Sequence, residues 1–158
     1  METNLQSIDV LSLRRAAARP EVISAVEAVY AGVGRWIAQQ SPVCGKKGDC
    51  CRFGTFGHRL YVTALEVCYY LANGKPPLQV VGEVCPHLVG GRCHARNRRP
   101  LGCRIYYCDP QAQHWQGPFT EDQLRRLRAL HDELSVPYFY ADWLAILRVL
   151  AERRASAV

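Results

Sequence analysis

The chain has 158 residues, a formal charge of +6 (20 Lys and Arg against 14 Asp and Glu) and an apolar share of 49%. One ordinary domain has this length, and globular proteins have this composition, so two full-sized domains and wholesale disorder are excluded. The best apolar stretch, Ala141 to Ala151, is broken by Asp142 and Arg148 and falls short of the roughly 18–20 residues of a membrane span.

In chain order, the opening METNLQSIDVLSLRR carries no apolar block of a secretory signal, so a cytoplasmic chain with no membrane partner is expected. Residues 20–39 predict an amphipathic helix, with Val22, Val26, Val29, Val33 and Trp36 at three- and four-residue steps and Pro20 at its start. Thr63 and Glu66 form a capping-box pair that predicts a helix to about Ala72, stopped by Asn73-Gly74 and Pro76-Pro77. From Cys85 to Pro110 the chain is rich in Gly, Pro and Arg without a sustained period, which predicts loop with short strands or turns. A second capping pair, Thr120 and Gln123, predicts a helix opening at 120. After Val136-Pro137, residues 138–153 predict a last helix that buries Trp143, Ile146, Leu147 and Leu150. The fold class expected is mainly α. It is a small single domain over 1–158, with helical segments 20–39 and 120–153 framing an irregular, cysteine-rich, metal-ordered centre over 44–108.

The eight cysteines are about 5% of the chain, too few for a disulfide scaffold. All eight nevertheless fall between Cys44 and Cys108, and in a reducing compartment clustered thiols point to metal or redox chemistry. Gly45, Gly48, Gly90, Gly91, Gly102, Pro86 and Pro100 supply turns beside them, and Arg92, Arg96, Arg98, Arg99 and Arg104 supply positive charge that favours thiolates. Cys68 lies mid-helix on an apolar face and is expected in the core. That leaves Cys44, Cys50, Cys51, Cys85, Cys93, Cys103 and Cys108 as metal-ligand candidates. His87 and His94 are lesser candidates, and His58, His114 and His131 have less claim. No Cys-x-x-Cys knuckle is present, and the adjacent side chains of Cys50 and Cys51 are expected to diverge. Scattered single cysteines suit an iron–sulfur cluster at least as well as one ion.

The ordered set Cys44-Gly-Lys-Lys-Gly-Asp-Cys50-Cys51, Val62-Thr63-Ala-Leu-Glu66, Cys85-Pro86-His87-Leu88, Gly91-Arg92-Cys93 and Arg99-Pro100-Leu101-Gly102-Cys103-Arg104 resembles the CxxCxxCC, or YkgJ-type, cysteine-cluster family of zinc- or iron-chelating domains. The likeness covers roughly 44–108. Lys47 stands where that pattern has its second Cys, and Arg96 where a tyrosine is often found. The resemblance implies binding of zinc or iron, without one established reaction.

The expected function is a metal-binding protein holding an iron–sulfur cluster, foremost 4Fe-4S, or a zinc or iron ion, with a redox or accessory role. The alternative is a zinc-stapled interaction module whose basic face meets a protein or, as a lesser expectation, nucleic acid. No phosphate loop, dinucleotide fingerprint or metalloprotease helix points to a particular enzyme.

Overall fold

A computed structural model describes residues 3–43 and 49–156. Cys44 and Lys47 therefore lie outside the described residues. The described chain is mainly helical, with seven α-helices and two small two-stranded sheets. No helix among the described residues is long and apolar enough to cross a membrane.

The first helix, α1 (Val10–Ala17), starts where the Asp9 carboxylate accepts the Ser12 N–H, and it buries Val10, Leu13 and Ala16. Sequence patterning did not single it out, because its apolar face covers only two turns. Helix α2 (Pro20–Gln40) follows the expected segment closely, with Pro20 in its first turn. Its buried stripe is Val22, Val26, Tyr30, Val33 and Ile37, while Val29 and Trp36 sit at the margin and are only half-buried. Helix α3 (Phe53–Phe56) is a single turn ended by Gly57 in the left-handed region.

Strand β1 (Tyr61–Thr63) leads directly into α4 (Ala64–Ala72), the most deeply buried helix. The expected capping box is present: the Thr63 hydroxyl accepts the Glu66 N–H, and the Glu66 carboxylate accepts the Thr63 N–H at 2.7 Å. Cys68 is fully buried, and its thiol donates to the Leu13 carbonyl at 3.6 Å, which makes it a core residue as expected.

The centre is irregular but ordered. Strands β2 (Leu88–Val89) and β3 (Arg92–Cys93) pair antiparallel around Gly90 and Gly91, both at positive φ, a turn that other residues adopt only with strain. Helix α5 (Leu101–Ile105) follows. Gly102 in it has no room for a side chain, because a Cβ there would collide with the Leu60 side chain.

Helix α6 runs over Gln113–Leu134, so it opens seven residues before the predicted start at Thr120. The second capping box does not form, and the Thr120 hydroxyl donates instead to the Gln116 carbonyl one turn back. The extra turns pack Trp115 and Phe119 against Trp36, with ring centroids 4.9 and 4.0 Å away, and that aromatic contact outweighs the local capping preference and the cost of Pro118 inside the helix. Residues 140–142 are not helical as predicted: Tyr140–Asp142 form β4, antiparallel to β1 with Val62 opposite Ala141. Helix α7 (Trp143–Ser156) begins there and buries Trp143, Ile146, Leu147 and Leu150 as expected. Tyr138 and Tyr140 are exposed.

Two buried polar side chains lock this frame. Glu66 is 1% exposed, and its carboxylate also accepts the Leu101 N–H at 2.6 Å, joining the start of α4 to the start of α5. His131 is buried in α6, where its Nδ1–H donates to the Leu127 carbonyl at 2.8 Å and its Nε2 accepts the Leu65 N–H at 3.2 Å. Glu66→Gln would set an amide donor against a backbone or hydroxyl donor, and a loss of about 2–4 kcal/mol is expected in denaturant unfolding.

Burial holds the His131 pKa below its usual range, since both ring nitrogens are committed in the neutral form. The unfolded chain then binds that proton more readily, so the stability His131 contributes is complete above its unfolded pKa and is lost as pH falls below it. Between pH 7 and 5 the wild type is expected to lose more stability than His131→Gln. Equal losses in the two proteins would refute this.

Candidate thiol centre

Four separate stretches of backbone bring the thiols together. A 3-10 turn over Asp49–Cys51 presents Cys50 and Cys51. Segment 83–85 runs alongside 51–54: the Cys85 N–H donates to the Cys51 carbonyl at 2.8 Å, the Gly54 N–H donates to the Glu83 carbonyl at 3.1 Å, and Arg52 bridges Val84. Cys85 is thereby placed beside Cys51. The β2–β3 hairpin then doubles back, with Cys93 opposite Leu88 and the His94 N–H donating to the His87 carbonyl at 2.8 Å. Cys103 arrives on α5, which Glu66 anchors.

Cys51 lies at the middle of the group, with the side chains of Cys50, Cys85 and Cys93 as its thiol neighbours. Those neighbours, Cys50 first, raise its pKa far above the usual thiol value, so Cys51 keeps its proton. The three neighbours are acidified, each first by Cys51: Cys50 and Cys93 to about 6, and Cys85 in the same direction. The expectation that Cys50 and Cys51 point apart does not hold, because the 3-10 turn lets adjacent thiols meet.

Backbone and side-chain donors add to this. The N–H two residues on from each of Cys85 and Cys93, from His87 and Ala95, bonds the cysteine sulfur, and Trp143 bonds Cys85. Such N–H donors stabilise a thiolate over a thiol. The positive charge of Arg99 lowers the pKa of Cys50, Cys93 and Cys103, and Arg96 acts on Cys93. Cys103 is pushed well up by burial first and by the charges of Cys85, Cys50 and Cys93 next.

The remaining candidates stand elsewhere. Cys108 is exposed and its thiol faces the Tyr106 hydroxyl at 3.8 Å. Val43, the residue before Cys44, is held by Asp109, the residue after Cys108, through a 3.0 Å bond from its N–H to the Asp109 carboxylate. His87 is occupied by Tyr70, whose hydroxyl donates to Nε2 at 2.6 Å, and burial, then the Arg98 charge, holds its pKa down to about 4. His58 bonds the Cys50 carbonyl through Nε2 at 3.1 Å, and His94 and His114 are exposed. Trp143, noted in the sequence only as an apolar core residue, belongs to the thiol site as well. No local sequence pattern signals this, because the contact joins residues far apart in the chain.

The basic run works inward. Arg98 donates to the carbonyls of Tyr70 and Lys75, Arg99 to those of Arg96 and Cys103, and Arg104 to those of Arg99 and Asn97. Arg104 also lies 3.9 Å from the Tyr30 ring centroid, and Arg98 4.1 Å from that of Tyr70.

Among the described residues, no three His, Cys, Asp or Glu side chains stand arranged as ligands around a metal ion, and no disulfide joins the free thiols. No protein-family model, curated protein or solved structure matches the chain.

In metal-free, reduced protein at pH 7, exposed and acidified Cys50 is expected to react with iodoacetamide well before buried Cys51 and Cys68. Peptide mass spectrometry over time checks the order. Early labelling of Cys68 would contradict it.

Proposed function

We propose that the chain is a metal-binding protein whose centre is held by thiolates drawn from Cys50, Cys51, Cys85, Cys93 and Cys103. The observation that carries this reading is the convergence of four neighbouring thiols, Cys50, Cys51, Cys85 and Cys93, from three separate backbone segments. The donor set fits zinc or iron, which take thiolate ligands, and the surrounding N–H groups and Arg99 favour the deprotonated sulfurs such ligation needs. The resemblance to the YkgJ-type cysteine-cluster family points the same way.

Two forms of the centre follow from the donor set. An iron–sulfur cluster is favoured by the surplus of thiols, since Cys103 adds a fifth sulfur to the group. A single zinc or iron ion needs only four thiolates, the number that Cys50, Cys51, Cys85 and Cys93 supply without Cys103. A cluster supplies one-electron redox chemistry, whereas a four-thiolate zinc supplies structural order.

Protein purified without oxygen, its visible spectrum recorded and its iron, sulfide and zinc quantified, tests the reading. Stoichiometric metal is expected. Cys85→Ser and Cys93→Ser are expected to lose most of it, while Cys68→Ser and Cys108→Ser keep it. Brown protein with iron and sulfide selects the cluster, and colourless protein with zinc selects the single ion. Metal-free protein with unchanged stability in chelator would sink the proposal.

A further inference from the structure

Beside the thiol centre lies a cavity of about 440 Å³, within the usual size range of small-molecule sites. Its walls are mainly apolar, with Leu60 from the loop before β1, Leu101 and Ile105 from α5, and Leu124 from α6. Cys50 and Cys103 both line it, so the cavity borders the thiol group directly. Tyr61 and Tyr140 also line it, exposed on paired strands with ring centroids 5.4 Å apart. Exposed tyrosines beside an apolar cavity are costly to solvate and well suited to a flat ring.

Two charged side chains on different elements complete the lining. Arg59 makes one long contact, 3.5 Å to Asp142, with its side chain 64% exposed, and so retains most of its guanidinium donors. Glu121 on α6 is exposed and offers acceptors. Gln116, the amide in the lining, is held by the Tyr107 backbone through both its oxygen and its nitrogen.

We infer that this cavity binds a planar aromatic acid that also carries a hydroxyl or amino group. The carboxylate is taken by Arg59, the ring lies against the tyrosines and the apolar walls, and the hydroxyl or amino donor meets Glu121. A ligand so placed lies against the wall that holds Cys50 and Cys103. The inference rests on the cavity lining alone and stands whether or not the thiols hold metal.

Equilibrium dialysis of the protein as isolated against 6-hydroxy-2-naphthoate tests it. One equivalent is expected to bind with a Kd on the order of 0.1–1 mM, the range for a ligand of this size. Gly117→Phe fills the cavity from α6, where the backbone is helical and a Cβ has nothing within 4 Å, so the fold is expected to survive and binding to disappear. Arg59→Gln is expected to weaken binding about tenfold, a loss typical of a charge-assisted hydrogen bond. Leu78→Trp, at an exposed position outside the cavity, is expected to leave it unchanged. Absence of saturable binding, binding that survives Gly117→Phe, or binding that Arg59→Gln leaves unaltered would overturn the inference. None of these results bears on metal content.

Discussion

Glu66 is buried among apolar side chains, yet its two oxygens accept from the Thr63 N–H, the Thr63 hydroxyl and the Leu101 N–H. Burial raises its pKa, while those donors and the charge of Arg104 pull it back. A carboxylate in that position is tolerable because both of its oxygens accept hydrogen bonds. The geometry that results is the basis for the rest. It fixes where α5 begins relative to α4, and so where Cys103, Arg104 and the arginine-rich stretch before them lie. His131 supports the same helix start from the other side by accepting the Leu65 N–H.

The centre between Cys85 and Pro110 obtains its order mainly from polar contacts and tight turns. Three arginines donate to six backbone carbonyls there, and the hairpin closes on two glycines at positive φ. This organisation explains a basic run that, on composition alone, resembled a surface for an acidic partner. Within it the guanidinium groups of Arg98, Arg99 and Arg104 hold loop carbonyls, and Arg99 also compensates thiols. The thiol group in turn is held in place by backbone pairing between 51–54 and 83–85, so its sulfurs are gathered before any metal is considered. Gathering of this kind lowers the ordering cost of a ligand set.

Elements that announce themselves locally were legible in the sequence: the amphipathic α2, the Thr63–Glu66 box, the core thiol of Cys68 and the buried face of α7. Elements decided by distant contacts were not. The early start of α6 depends on Trp36, far away in sequence, and strand β4 exists because β1 lies beside it. The candidate site divides in the same way. Cysteine type and clustering marked Cys50, Cys51, Cys85, Cys93 and Cys103. The meeting of adjacent thiols, the part played by Trp143 and the exposed place of Cys108 depend on a 3-10 turn and on chain crossings that no spacing rule contains.

The central claim is that these sulfurs are the ligands of a metal, and the nearest probe of it is the metal's own coordination shell. X-ray absorption at the iron and zinc edges of anaerobically purified protein reads that shell directly. The account predicts a shell dominated by sulfur, with a metal–sulfur distance of about 2.3 Å if the metal is zinc. A shell of nitrogen and oxygen, with sulfur absent, would contradict it.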